Sequence, residues 1–282
     1  MLGKIRTFFN LIRFEHTVFA LPFAYLGMLL ARKSWPGWSA FIWITLAMAS
    51  ARTAGMCLNR IIDLKIDAKN PRTQERPLVT GEFRVLWVWG VVLVSLLLFF
   101  LSAGILNPLC FKLSPIALFL LLVYHYVKRF SFLCHWTLGL TLSLAPIGGW
   151  LAVTGAWAWP AMYLGLAVMM WVAGFDILYS LQDLDFDRAC GLHSVPVQFG
   201  TKGALRIAEI CHVLTFFFFV IFGIVEALGI LYWVGLLLVA LLLKLEHALV
   251  SEDDLSRINA AFFAVNGWIG ILMLIFTFLE IY

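Results

Sequence analysis

The chain has 282 residues, of which 63% are hydrophobic and 13% are charged, and its net charge is +4. Ordinary soluble domains are about 45–50% apolar, so this composition excludes a soluble globular protein and indicates a polytopic membrane protein. The small positive charge gives no reason to expect a nucleic-acid partner. At a membrane it favours contact with the lipid bilayer and with anionic substrates.

Apolar runs of about twenty residues, the length that crosses a bilayer as a helix, recur along the whole chain. No polar stretch between them is long enough for a separate soluble domain, so we predict one all-α transmembrane domain over residues 1–282. The runs predict about nine membrane-spanning helices, near residues 15–33, 38–60, 84–106, 109–127, 132–154, 158–180, 206–227, 229–247 and 259–280.

Lys and Arg residues are distributed unequally between the two sets of connections. Most precede the first predicted span or follow the second, fourth, sixth and eighth, whereas the other side carries only Arg32, Lys33 and Lys112. Because Lys and Arg are retained on the cytoplasmic side of short loops, we expect a cytoplasmic amino terminus and an external carboxyl terminus. A bacterial inner or plasma membrane is the expected location.

Carboxylates are concentrated at the ends of two predicted spans that share the cytoplasmic side. The two segments are Asn59-Arg-Ile-Ile-Asp63-Leu-Lys-Ile-Asp67 and Asp176-Ile-Leu-Tyr179-Ser-Leu-Gln-Asp183-Leu-Asp185-Phe-Asp187. Each ends in a D-x-x-x-D pair, which on a helix places both carboxylates on one face. Charges at the edge of a bilayer are costly and mark function. Two such pairs predict a site for Mg²⁺, which prefers carboxylate oxygens together with the phosphates of a substrate.

Cationic side chains occur on the same predicted face. The longest polar segments, residues 63–83 and 181–205, follow the two clusters, and we predict both to be functional loops. The first contains Arg72 and Arg76, and the fourth span ends with Lys128 and Arg129. Arginine presents a planar fork of donors that matches phosphate oxygens. Acids for a metal and bases for a phosphate together indicate a bound diphosphate.

Four motifs in this order resemble those of the UbiA superfamily of membrane prenyltransferases, and the resemblance runs almost from end to end. They are Asn59-x-x-x-Asp63-x-x-x-Asp67, Arg72-Thr73-x-x-Arg76-Pro77-Leu78, Tyr124-x-x-x-Lys128-Arg129 and Asp176-x-x-Tyr179-x-x-x-Asp183-x-x-x-Asp187. Arg13 and the run from Arg52 to Gly55 are similar to the branch that attaches a polyprenyl chain to 4-hydroxybenzoate or a related aromatic acid in quinone synthesis. Many members have aspartate directly after the first asparagine, where this chain has Arg60.

The resemblance implies a helical bundle around a central cavity that opens to the cytoplasm. It also implies Mg²⁺-dependent transfer of a polyprenyl group from polyprenyl diphosphate to the ring of a small aromatic acid, for ubiquinone or menaquinone. The expected metal ligands are Asn59, Asp63, Asp67, Asp183 and Asp187. The four aspartates of that set, Lys128 and Tyr179 form the expected catalytic group. The expected substrate-binding residues are Arg13, Arg52, Asn59, Arg72, Arg76, Tyr124 and Asp176. Because an unpaired charge in or next to an apolar span is costly, we assign Arg13 and Arg52 to the carboxylate of the acceptor; the alternative is internal pairing, for instance with Glu15.

Other functions fit parts of the pattern. The same chemistry on 1,4-dihydroxy-2-naphthoate or 1,4-dihydroxy-6-naphthoate would serve menaquinone synthesis. A polytopic transporter also carries charges within the membrane, but transporter sites lie near the midplane, whereas these clusters lie at one face. Enzymes that transfer a phospho-alcohol from CDP need a D-G-x-x-A-R run, which the sequence lacks.

Overall fold

The computed structural model describes residues 2–252, 254–260 and 265–282, and it describes their side chains except at 2–5, 14–19 and 260. All regular structure within these ranges is helical. The helices are α1 (Leu2–Ile12), α2 (Phe14–Leu30), α3 (Trp38–Ile62), α4 (Leu64–Asp67), α5 (Val85–Leu106), α6 (Pro108–Val127), α7 (Cys134–Thr154), α8 (Trp159–Ser180), α9 (Leu184–Ala189), α10 (Val195–Val225), α11 (Ile230–Ala248), α12 (Ile258–Ala260) and α13 (Asn266–Ile281).

Seven helical segments among the described residues are long and apolar enough to cross a membrane: α3, α5, α6, α7, α8 with its continuation into α9, α10 and α11. Of two shorter apolar segments, Ala20–Leu30 lies within the first predicted span and Asn266–Ile281 overlaps the ninth. The prediction of an all-α polytopic membrane protein is confirmed. The count of nine spans stays a prediction, and residues 261–264 of the ninth lie outside the described residues. The single domain over 1–282 also stays a prediction.

The segment before residue 206 differs from the sequence prediction. Instead of a loop, residues 195–205 form the first turns of α10. The Ser194 hydroxyl caps this helix by accepting a hydrogen bond from the Val197 N–H at 3.4 Å. Gly200 interrupts the helix with a φ of 70°, a conformation that glycine adopts without steric cost. The polar composition of this segment therefore reflects a position at the polar end of the bundle rather than a loop.

A short helix, α1, precedes the first predicted span. It is separated from α2 by Arg13, whose φ of 48° lies in the left-handed region. A left-handed residue other than glycine costs about 1–2 kcal/mol, so the contacts around it must hold it there. The chain therefore turns at Arg13 before it enters the bundle.

Glycines allow close backbone contact between α2 and α7. A Cβ on Gly27 of α2 would collide with the carbonyl of Pro146, and a Cβ on Gly149 of α7 would collide with the carbonyl of Ala24. Small residues at such crossings are typical of membrane helices, which associate through close packing rather than through the hydrophobic effect. Large, almost fully buried side chains fill the adjacent core: Phe23, Trp171, Phe219, Phe222 and Tyr232.

A buried polar chain joins α8, α13, α11 and α10. The Trp171 indole N–H donates to Asn266 Oδ1 at 2.6 Å, and the Asn266 amide donates to Glu246 Oε1 at 2.6 Å. His212 Nδ1 lies 3.8 Å from Glu246 Oε2 and 2.9 Å from His247 Nε2. Hydrogen bonds between helices in a low-dielectric interior fix their relative positions. These residues hold together the side of the bundle opposite α5 and α6.

Two adjacent glycines of α7 provide a test of the α2–α7 contact. Gly149→Ala should destabilise the protein by about 1–3 kcal/mol, because the new methyl group meets backbone that cannot move aside. Gly148→Ala is the matched control, since nothing lies within 4 Å of its added Cβ. The control should be neutral or slightly stabilising, because alanine favours a helix. Thermal denaturation in detergent measures both, and equal melting temperatures for the two variants would contradict the packing.

Candidate active site

The first aspartate cluster lies where α3 ends. The helix stops at Ile62, and the single turn α4 carries the chain from Asp63 to Asp67. The carboxylates of Asp63 and Asp67 are nearly inaccessible, with 2% and 5% of each residue exposed. One turn earlier, the Asn59 amide donates to Asp63 Oδ2 at 3.1 Å. Buried carboxylates need compensating partners.

Cations from two other parts of the chain supply that compensation. Lys128 Nζ lies 3.3 Å from Asp63 Oδ2, and the Arg129 guanidinium lies 3.3 Å from Asp63 Oδ1. Arg76 donates to Asp67 Oδ2 at 2.6 Å. Three cations thus surround two aspartates, so this group carries an excess of positive charge next to buried oxygen atoms. Such a site attracts an anion without any change in the protein.

Arg72 joins the first loop to the second aspartate cluster. Its Nε donates to Asp183 Oδ1 at 2.9 Å and its terminal nitrogen donates to Asp183 Oδ2 at 2.5 Å, a bidentate pair. A second terminal nitrogen donates to the Tyr179 hydroxyl at 3.1 Å, and the Asn70 amide donates to Asp183 Oδ1 at 3.0 Å. Burial lowers the pKa of Arg72, but the hydrogen bonds and charge of Asp183 outweigh it, so the net shift is upward. The two clusters therefore meet at one end of the bundle.

Asp176 lies deeper in α8 and is held by a histidine that the motifs did not indicate. His135 Nδ1 lies 2.7 Å from Asp176 Oδ2, and His135 Nε2 accepts a hydrogen bond from the Val195 N–H at 3.2 Å. Since Nε2 is an acceptor, Nδ1 carries the proton that is donated to Asp176. This chain of contacts joins α7, α8 and the start of α10. A direct role for Asp176 in substrate binding stays a prediction.

A large apolar cavity of about 470 Å³ lies between α3, α5, α6 and α7. Arg52 and Tyr124 line it on the side towards the aspartates. Arg52 Nε is buried and has no hydrogen-bond partner among the described residues. Leaving a buried donor unsatisfied costs about 1–3 kcal/mol, and more when the group is charged. The guanidinium is therefore placed to bind an anionic group inside an otherwise apolar space.

Arg13 lies elsewhere. It lines a second, polar cavity of about 370 Å³ beside α1, which contains neither Arg52 nor Tyr124. The joint assignment of Arg13 and Arg52 to one carboxylate is therefore not supported, because the turn after α1 places Arg13 outside the apolar cavity. The alternative partner for Arg13, the side chain of Glu15, lies outside the described residues.

Besides His135, sequence reasoning assigned no role to three polar side chains of this site. Asn70 begins an Asn-Pro-Arg sequence, which is typical of a turn. Its Oδ1 accepts a hydrogen bond from the Arg72 backbone N–H at 2.9 Å. His125 follows Tyr124, and its Nδ1 accepts a hydrogen bond from the Asn59 amide at 3.3 Å. Thr73 donates to the Asp67 carbonyl at 3.0 Å. Asn70, through its turn, and Thr73, through its place in the second motif, carry a local sequence signal, whereas His125 does not.

The oxygen donors suit a hard divalent cation that shares its coordination with a substrate. Among the described residues, no three Asp, Glu, His or Cys side chains are grouped so that they could hold an ion alone. Mg²⁺ does not require such a group, since it is usually held by one or two carboxylates together with phosphate oxygens and water. Asp187, half-buried and within electrostatic range of Asp183, adds a carboxylate to the second pair. The residues present therefore fit a metal bound together with a diphosphate.

Comparison with known proteins identifies the family. The model of the UbiA prenyltransferase family matches residues 20–269, which include all four motifs. The chain belongs to the UbiA prenyltransferase family. It is therefore a membrane-embedded transferase with several spans, and the enzyme class predicted from the motifs is confirmed.

Similar UbiA proteins cover nearly the full chain. The 4-hydroxybenzoate octaprenyltransferase of Vibrio campbellii is 28% identical over 275 residues, 96% of both chains. The enzyme of the same name from Nitrosospira multiformis is 29% identical over 248 residues, 86% of this chain and 83% of the relative. The solved apo structure of a UbiA homolog from Aeropyrum pernix is 36% identical, with a TM-score of 0.87 over 95% of this chain and 98% of that one.

A UbiA homolog from Archaeoglobus fulgidus, solved with DMAPP and Mg²⁺ bound, has a TM-score of 0.73 over 98% of this chain and 99% of that one. Its identity is 20%, so it supports the fold alone. The predicted helical bundle with a cavity is thus the UbiA fold.

The Arg72 bridge can be tested by a change that keeps its charge. Arg72→Lys removes the bidentate contact with Asp183 and the contact with Tyr179, because an ammonium group cannot reproduce the planar fork. One lost charged hydrogen bond is worth about 1.5–3 kcal/mol, so prenyl-transfer turnover should fall roughly tenfold to hundredfold. Lys69→Arg, at an exposed position in the same loop, should have no effect. Wild-type turnover in Arg72→Lys would show that the bridge is dispensable.

Proposed function

We propose that this UbiA protein transfers a polyprenyl group from polyprenyl diphosphate to the ring of an aromatic acid, with 4-hydroxybenzoate as the leading acceptor. The proposal is carried by the buried Arg52 Nε, which has no hydrogen-bond partner among the described residues and lies in the apolar cavity. A lipid-soluble chain explains the apolar wall, and a carboxylate explains the cation that the described lining contains. The names of the similar Vibrio and Nitrosospira enzymes support the same acceptor.

The diphosphate end of the donor is assigned to the polar rim of the bundle. The residues that would hold Mg²⁺ there are Asn59, Asp63, Asp67, Asp183 and Asp187. When bound, Mg²⁺ neutralises charge on the diphosphate oxygens and makes the group easier to displace. Four cations that pair with these carboxylates would also neutralise charge on the departing diphosphate: Arg72, Arg76, Lys128 and Arg129. Fixed charges aimed at the position where charge develops are usually the largest catalytic contribution.

The reaction then needs no side-chain nucleophile. The bond between the first prenyl carbon and the diphosphate oxygen breaks, and the diphosphate leaves with the electron pair. The ring carbon ortho to the phenolic oxygen forms the new carbon–carbon bond, and its proton passes to the released diphosphate or to water, which restores aromaticity. Arg52 precedes Asn59 by seven residues on α3, a rise of about 10 Å. An acid bound to Arg52 would therefore direct its phenolic end towards the rim.

The apolar cavity is assigned to the prenyl chain. Its lining is dominated by aliphatic side chains, including Ala51, Leu121 and Ala145. Burial contributes about 0.8 kcal/mol for each methylene group that leaves water, so a predominantly apolar cavity suits a hydrocarbon of variable length. Tyr124 lies at the boundary between this cavity and the cationic rim, with Arg52 within electrostatic range.

A dihydroxynaphthoate is the second candidate acceptor, because it carries the same carboxylate and would bind Arg52 in the same way. We also infer that the amino terminus and the polar rim face the cytoplasm of a bacterial inner or plasma membrane. The excess of Lys and Arg on that side supports this orientation.

Recognition of the carboxylate predicts a difference between two acceptors. Purified protein with polyprenyl diphosphate should prenylate 4-hydroxybenzoate at least tenfold faster than phenol, because only the acid satisfies Arg52. Arg52→Gln should lower kcat/KM for the acid by roughly tenfold to hundredfold and leave that for phenol nearly unchanged. Arg32→Gln, an exposed arginine at the other end of the bundle, is the control. Equal rates for acid and phenol in the wild type would refute carboxylate recognition.

Metal dependence can be tested on one short segment. Excess EDTA should abolish turnover and added Mg²⁺ should restore it, because the carboxylate pairs need the cation to bind diphosphate. Asp183→Asn should reduce turnover by at least a hundredfold and raise the Mg²⁺ concentration needed for half-maximal rate. Asp185→Asn removes an exposed carboxylate two residues away and should match the wild type. Full activity in EDTA would exclude the proposed role of the metal.

A further inference from the structure

The polar cavity of about 370 Å³ beside α1 is separate from the apolar one. It lies between α1, the end of α3 and the segment that follows Asn70. Four arginines and two neutral polar residues of α1 contribute to its lining: Arg13, Arg60, Arg72, Arg76, Thr7 and Asn10. The proposed reaction uses Arg72 and Arg76 of this lining, which bind Asp183 and Asp67, but it gives no role to Arg13 or Arg60.

Arg60 is the most unusual member of this lining. Only 3% of the residue is exposed, yet the partners of its guanidinium are neutral: Nε donates to the Leu11 carbonyl at 3.1 Å and a terminal nitrogen donates to Asn59 Oδ1 at 3.3 Å. Asp67 is within electrostatic range of Arg60, but its carboxylate is held by Arg76. A guanidinium has five N–H donors. Arg60 is thus a buried cation that no carboxylate among the described residues pairs with, and an anion in the cavity would compensate it.

Arg13, on another wall of the cavity, also indicates that the cavity suits an anion. Its left-handed backbone, with a φ of 48°, ends α1 and places the residue on the lining of the cavity. The acidic residues of the lining, Glu75 and Glu82, are exposed and therefore screened by solvent. The buried part of the cavity is cationic, and its acidic groups face water.

Arg72 and Arg76 form the wall between this cavity and the transferase site. Both line the cavity, while their guanidinium groups hold Asp183 and Asp67. These two side chains therefore border both the cavity that contains Arg60 and the aspartates of the transferase site.

We propose that the cavity formed by Arg13, Arg60, Arg72 and Arg76 is a second anion site that binds a phosphate or diphosphate group. Guanidinium forks match phosphate oxygens in either source, the inorganic diphosphate released by prenyl transfer or the headgroup of a phospholipid. Only the naming of diphosphate as a reaction product rests on the proposed function. As a holding site for that product, the cavity would separate it from the reactive carbocation.

Titration of the full chain with inorganic diphosphate in detergent and excess EDTA tests the site, with calorimetry as the readout. Wild-type protein should bind diphosphate saturably without metal. Arg60→Gln should weaken this binding about tenfold or more, whereas Arg60→Lys, which keeps the charge, should retain part of it. Lys65→Gln removes a charge from an exposed position near the same motif and should bind as the wild type does. Melting temperatures show whether each variant is folded.

Lipid nanodiscs distinguish the two sources. Equal affinity for diphosphate in phosphatidylcholine and in phosphatidylglycerol discs identifies the soluble anion as the ligand. Weaker apparent affinity in phosphatidylglycerol, seen in the wild type but not in Arg60→Gln, identifies a lipid phosphate that competes for the site. The absence of saturable binding in EDTA, or equal binding by folded Arg60→Gln and wild type, would overturn the proposal. These titrations involve no turnover, so a failure of the proposed prenyl transfer would leave their result intact.

Discussion

Neutralisation of buried carboxylates by cations from distant segments determines the arrangement of the polar rim. Asp63 and Asp67 are almost inaccessible and cannot remain charged in a low-dielectric bundle without partners. Lys128 and Arg129 pair with Asp63, and Arg76 pairs with Asp67. Arg72 pairs with Asp183 of the second cluster and so holds the loop after α4 against α8. The loop also buries Leu78 and packs Phe83 against the core beside it. Its order therefore depends on these apolar contacts as well as on the charges that it neutralises.

The sequence predicts the helices and the polar rim well because their signals are local. Apolar runs have the length of a bilayer, and the D-x-x-x-D spacing is a property of one helix turn. The partner of each charge is not local. Arg72 reaches Asp183, 111 residues away, and His135 reaches Asp176, 41 residues away. These pairings depend on which helices are neighbours, which neither residue type nor spacing in the sequence shows.

Arg13 and Arg52 illustrate the same limit at the acceptor site. Both are arginines in or next to apolar spans, and nothing in the sequence indicates that they border different cavities. The left-handed turn at Arg13 directs α1 along the outside of α3, whereas Arg52 remains on the face of α3 that borders the apolar cavity. Arg60, which departs from the family pattern, lies on the α1 side and binds the Leu11 carbonyl. One helix thus presents arginines to two chemically different cavities.

The close glycine contact between α2 and α7 affects how the apolar cavity can change shape. α7 forms one wall, and its backbone at Gly149 cannot shift unless α2 shifts with it. The opposite wall comes from α5 and α6, whose outer side chains, such as Leu97 and Phe119, are exposed to the surroundings. Under the proposed assignment of this cavity to the prenyl chain, room for a longer chain is expected on the α5–α6 side. Because that side faces the lipid, the lateral pressure of the bilayer opposes the expansion and so limits the length of chain that fits.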